Sequence, residues 1–143
     1  MNAPATTPTW KVSMILVARL IFAGLFAMAA IFKFADMNGT AGYIAAAGFP
    51  FPLLLAWLAA FFETALVLCL VTGAYFTEAA LLAAVYVLFL AFAFHGPAQW
   101  KPDDPTEFGF FVDHFTFIAG LLFAAVHGPG SVLALRRSLI ARI

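Results

Sequence analysis

The sequence predicts an all-α membrane protein, a bundle of four transmembrane helices with the N and C termini cytoplasmic. Three observations predict it. Of 143 residues, 65% are hydrophobic and only 10% charged, with mean hydropathy +1.03, whereas soluble domains carry about 25% charged residues. The apolar residues gather into four runs, each near the ~20 residues that cross a bilayer as helix. Lys11, Arg136, Arg137 and Arg142 lie towards the chain ends, while the two long connections hold only Lys33 and Lys101. Basic residues favour the cytoplasmic side. Residues 1–143 therefore read as a single multi-pass membrane domain, with the lipid bilayer as its first partner and the two long connections on the non-cytoplasmic side, periplasmic in a bacterium.

The first span is expected over about 12–34. Lys11, the apolar run and Ala27-Met28-Ala29 imitate a signal peptide, but signal cores are about 7–15 residues long. This run is longer and contains Arg19, so the span is expected to be retained. Lys33 and Asp36 mark its exit. In the following loop Gly39, Gly42 and Gly48, with Pro50 and Pro52, are expected to break any continuous helix. "TAGYIAAAG" has the composition of a short interfacial helix. Proline suits the first turn of a helix, where its missing N–H has no partner to lose. Span two accordingly runs over about 50–71, "TGAY" turns the chain, and span three covers about 77–95. Asp104, Pro105 and Glu107 have the spacing of an N-cap, an N1 proline and a capping-box acid. They start span four at about 105–127, which "HGPG" ends.

Charges within spans generally face the bundle interior and pair. At 1.5 Å per residue, Arg19 and Glu63 lie roughly 10–13 Å from the cytoplasmic ends of their helices, near one depth. They are expected to form a structural ion pair, with Glu63 alternatively lining a proton or ligand path. Towards the outer end, Lys33, His95, Asp113 and His114 fall in one layer. Lys33 and His95 would bind or polarise a ligand, with His114 as a third candidate ligand-binding residue. His95, Asp113 and His114 are the candidate catalytic groups, the last two exchanging protons. Adjacent helical positions point about 100° apart, so only one of Asp113 and His114 can face a narrow target. Glu107 and His114, seven apart, share a face. Local alternatives stand beside these readings: a Lys33–Asp36 pair, His95 as a helix-end residue, and an Asp113–His114 pair tying span four to span one.

The chemistry open to this layer is proton exchange, hydrogen bonding to a quinone carbonyl, or ligation of haem or a metal. Histidines and Asp113 lack tight ligand spacing such as His-Glu-x-x-His, so no metal site is expected. Cys69 is the only cysteine, which excludes an intrachain disulfide and a multi-cysteine site. Net charge is zero, which disfavours a nucleic-acid partner. Trp100 and Tyr43 are expected at the membrane interfaces, and His127 at a helix end. Ala23, Ala27 and Ala30 form a small-residue surface suited to a close helix contact, internal or in a homo-oligomer.

Arg19, "AAIFKFAD", "GTAGYIAAAGFP", Glu63 followed by "LVTGAYF", His95 at the end of span three and "GPG" after span four occur in this order. In these features the chain resembles the DoxX family of small bacterial membrane proteins, from about Arg19 to Gly130. The resemblance implies a four-helix bundle and association with redox processes, because the family includes a subunit linked to thiosulfate–quinone oxidation and a partner in a detoxification complex. It carries over to Arg19, Lys33, Gly48, Pro50, Glu63, Gly73 and His95. The chain departs from the pattern at Ala29-Ala30, where a glycine is usual, at Asp113-His114, where relatives often carry asparagine, and in its tail "SVLALRR". The expected function is a redox-associated inner-membrane subunit with a quinone-type or small-molecule site near the periplasmic face, acting with a protein partner. The rival is a non-catalytic assembly subunit that docks a partner complex.

Overall fold

In the computed structural model, which describes residues 8–135 and 138–140, the chain is helical, with no strand among the described residues. Five α-helices follow in order: α1 (Thr9–Ala35), α2 (Met37–Ala46), α3 (Pro52–Thr72), α4 (Phe76–His95) and α5 (Thr106–His127). A single 3-10 turn, Pro97–Gln99, follows α4. Helices α1, α3, α4 and α5 are each long and apolar enough to cross a membrane, and they fall on the four expected spans.

Between α1 and α3 the short helix that "TAGYIAAAG" favours is present as α2, but it starts three residues earlier, at Met37. Helix α2 takes in Gly39 as well as Gly42. Asp36 explains this, since its carboxylate caps α2 by accepting from the Gly39 N–H at 2.8 Å. A Cβ on residue 39 would lie 2.2 Å from that carboxylate, so glycine here permits the cap. Asp36 is thereby engaged with α2 and does not form the local pair with Lys33. At the start of α5 the expected capping box is absent. The helix begins at Thr106, Asp104 accepts from the Thr106 N–H at 3.1 Å, and Glu107 turns away to His95. Hydrogen bonding from Thr106 holds the Asp104 carboxyl below its ordinary range.

Packing proceeds α1 on α3, α3 on α4 and α4 on α5, with α2 laid against α3. Small residues make the central contact close: Ala56, Ala60, Ala80, Ala83 and Ala91 are fully buried. Around them Leu66, Leu70, Phe76, Val87 and Leu121 form the main core. Helix α1 buries one stripe, Arg19, Ala23, Phe26 and Ala30, at the spacing of a single helical face. Ala23 and Ala30 thus serve an internal contact. Helix α5 meets α1 where Phe22 lies edge-on to Phe117 and against Gly120.

One end of the bundle is tied by Arg19. Its side chain donates from Nε to the Leu70 carbonyl (3.1 Å) and from Nη1 to those of Pro129 (2.6 Å) and Val132 (2.7 Å). From Nη2 it reaches the carbonyls of Val71 (2.9 Å) and Leu133 (3.0 Å). A guanidinium has five N–H donors, and here five carbonyl oxygens take them. The last turn of α3 and the segment after α5 are thereby fixed to α1, with the Phe76 ring beneath the cation at 5.5 Å. The tail also pairs directly with α3, Leu135 N–H donating to Thr72 O at 3.0 Å. It passes so close to Gly73 (φ 70°) that a Cβ there would stand 2.9 Å from Ala134 Cα. Backbone angle and space both call for glycine.

The expected Arg19–Glu63 pair does not form. Side chains on a helix lean towards its own N-terminus. On antiparallel helices, residues at one depth therefore reach in opposite directions. Arg19 leans towards the chain-end side, to the α3 carbonyls. Glu63 leans the other way and meets Lys33 instead.

Replacing Arg19 by alanine leaves five carbonyls without their donor. At the ~0.6 kcal/mol average for interhelical hydrogen bonds in membranes, the expected loss is about 3 kcal/mol. Arg19→Lys should recover only part of it, because an ammonium lacks the planar fork. Equilibrium unfolding in mixed micelles measures both; unchanged stability in Arg19→Ala would contradict the role given to this residue.

Candidate ligand-binding cavity

Lys33, placed near the end of α1, points back down its helix into the bundle. Its Nζ lies 2.8 Å from Glu63 Oε1 on α3 and 3.4 Å from the Ala29 carbonyl. Tyr86 on α4 donates its hydroxyl to the same Glu63 oxygen at 2.8 Å. Glu63 is 1% exposed, and its second oxygen, Oε2, is buried with no hydrogen-bond partner among the described residues. Three helices thus meet at one carboxylate. Lys33 keeps 22% of its side chain exposed, so the cation, not the carboxylate, has the way out.

Nine residues further along α4, or about 13 Å by helical rise, His95 closes the helix. Its Nδ1 pairs with Glu107 Oε2 at 2.6 Å, and its ring centre is 5.0 Å from that of His114. His114 is held in turn by its own helix, Nδ1–H donating to the Phe110 carbonyl at 2.6 Å. A carbonyl can only accept, so the His114 proton sits on Nδ1. Trp100 tightens the rim, its indole N–H donating to the His95 carbonyl at 2.9 Å.

Between these two polar groups lies a cavity of about 1090 Å³. Lys33, Tyr86, His95 and His114 all line it, with Asp36, Thr40 and Tyr43 from the α1–α2 side. Its walls are apolar, among them Met28, Phe32, Leu58, Phe62, Phe89 and Phe94. Tyr43 stacks on Phe94 at 5.1 Å; burial, and then the Glu107 charge, push its hydroxyl pKa up. A phenol that stays protonated is a hydrogen-bond donor facing the cavity.

Of the residues expected at the site, Lys33, His95 and His114 come together around the cavity. Asp113 does not. It is exposed on the outer face of α5 and outside the lining, because His114 takes the inward direction and the neighbouring position turns about 100° away. The Asp113–His114 pair is accordingly absent. His95 bonds Glu107 through its ring and not the last carbonyls of its helix. His127, at the other end of α5, donates only to the Phe123 carbonyl at 2.9 Å. No group of three or more His, Cys, Asp or Glu side chains is placed to hold a metal among the described residues.

Two participants escaped the sequence reading. Tyr86 is a phenol in the middle of a span, and a buried tyrosine hydroxyl generally finds a partner; the carboxylate on the preceding helix was the available signal. Glu107 looked like a cap, and only the approach of α4 to α5 makes it a partner for His95.

A family model described as DoxX matches residues 14–96, more than half of the chain. The chain belongs to the DoxX family. The matched segment contains Arg19 and the whole Lys33–Glu63–Tyr86 cluster, and it ends just past His95. Glu107, Asp113 and His114 lie beyond it, so this DoxX protein completes the cavity rim with residues outside the matched segment. No curated protein and no solved structure matches the chain.

The ion pair makes an asymmetric prediction. Lys33→Met strands a buried carboxylate and should cost about 3–5 kcal/mol, the range for breaking a buried pair. Glu63→Leu leaves a lysine that can extend towards the membrane surface, so it should cost less. Lys33→Met with Glu63→Leu together should recover most of the loss. A double variant as unstable as Lys33→Met alone, by unfolding in micelles, would refute the pairing.

Proposed function

We propose that this DoxX protein is a redox-associated subunit of a bacterial cytoplasmic membrane and binds a quinone-type small molecule in the cavity. The observation that carries the reading is one apolar chamber with hydrogen-bonding groups at two depths. Lys33 and Tyr86, gathered by Glu63, stand deeper, and His95 and His114 stand at the rim. Ligand sites are commonly apolar with a few placed polar groups, and a flat ring with oxygens on opposite edges suits that pattern. Lys33, which keeps a donor beyond its bonds to Glu63 and Ala29, would donate to one oxygen. His114 would exchange a proton with the other, and His95 with Glu107 would link that proton to the aqueous side. The protein passes electrons only with a partner or a bound cofactor. The basic residues near both chain ends support cytoplasmic termini, which puts the histidine rim near the periplasmic face.

A second reading, a non-catalytic assembly subunit, draws support from Asp113. A carboxylate on the exposed face of a spanning helix is costly towards lipid and ordinarily meets a partner. The partner would be another subunit of a redox complex or a second copy of the chain.

Purified protein should carry extractable quinone and bind a short-chain benzoquinone saturably. The paired replacement Lys33→Met/Glu63→Leu and the single His114→Ala should each weaken that binding roughly 5- to 10-fold, the equivalent of one hydrogen bond at about 1–1.5 kcal/mol. Asp113→Asn should leave it unchanged. Absence of saturable binding by the native protein, or binding indifferent to both cavity variants, would remove the quinone reading. A stoichiometric protein partner lost with Asp113→Ala would favour the assembly subunit.

A further inference from the structure

We propose that His95 and His114 form a two-histidine site for a divalent transition-metal ion of the Zn²⁺ type at the cavity rim. Each imidazole already has one nitrogen committed to an oxygen. His95 Nδ1 is paired with the Glu107 carboxylate at 2.6 Å, and His114 Nδ1–H donates to the Phe110 carbonyl at 2.6 Å. Metal-ligating histidines almost always hold their second nitrogen in this way, on a carboxylate or a backbone carbonyl. The partners fix the ring and leave Nε2 as the donor atom. Neither Nε2 has a hydrogen-bond partner among the described residues.

The spacing fits as well. Zinc–nitrogen bonds of about 2.0–2.1 Å at a tetrahedral angle put two ligating imidazole centres about 5 Å apart; His95 and His114 stand at 5.0 Å. Both rings line the same cavity, which leaves water or an exogenous ligand to fill the remaining positions. Such a site is open and exchangeable, unlike a closed structural one with four protein ligands. Imidazole nitrogen selects zinc, copper or nickel over magnesium or calcium, which prefer oxygen. The site does not depend on the quinone reading, and a metal on His114 Nε2 excludes proton exchange at that atom.

The test uses protein purified on a tag without histidine and stripped with a chelator. Co²⁺ absorption reports binding, and Zn²⁺ competes for the same site. Native protein should bind one equivalent saturably. His95→Ala and His114→Ala should each abolish the signal, and Glu107→Gln should weaken it about 10- to 100-fold through the loss of the carboxylate support. Asp113→Asn and His127→Ala should bind as the native protein does. If the histidine variants do not fold, the contrast between Glu107→Gln and Asp113→Asn decides. No saturable binding by the native protein, binding that survives in a folded His95→Ala/His114→Ala variant, or equal binding by Glu107→Gln and Asp113→Asn would overturn the proposal.

Discussion

The five carbonyls gathered by Arg19 are the constraint on which the bundle rests. A helix ends with carbonyls that have no intrahelical donor, and within a membrane water is scarce to replace it. Arg19 brings all its donors to one point where α3 ends and the segment after α5 returns. The carbonyls supply the negative end of the α3 dipole in place of an anion. A cation can thus be 2% exposed without a carboxylate. With Arg19 occupied in this way, Glu63 is released to serve the other half of the bundle.

That release shapes the cavity. Glu63 reaches towards Lys33, and Tyr86 completes the cluster from a third helix. The three side chains hold α1, α3 and α4 in register at one level. Above them phenylalanines and leucines line an open space, beside the fully buried Ala56, Ala60 and Ala91. Helix α5 contributes through its first turns, where Glu107 and His114 meet His95. The Arg19 end of the bundle is therefore tied to the chain's tail, while the opposite half encloses a chamber. The polar residues follow that division, with Arg19 closing one end and two sets facing the chamber.

Much of this was legible. Four apolar runs dictated four helices because a spanning segment must satisfy its own backbone hydrogen bonds, and helical rise fixes the number of residues required. The scarcity of charge marked Arg19, Lys33, Glu63, His95, Asp113 and His114 as the residues to explain. The short helix α2 was legible in "TAGYIAAAG", but its start at Met37 was not, since propensity alone does not show that Asp36 will cap the turn containing Gly39. Arg19 and Glu63 do not pair, because side chains leaning opposite ways separate two residues whose Cα atoms lie at equal depth.

The sequence by itself determined the number of spans, their approximate ends, and which polar groups the membrane would force to find partners, because these follow from local composition and a fixed rise per residue. Only the tertiary structure decided who pairs with whom. Lys33 meets Glu63, Arg19 meets carbonyls, Glu107 meets His95 and Asp113 is left outside. Those outcomes depend on helix rotation and side-chain direction, to which residues distant along the chain contribute jointly, and no local stretch encodes them.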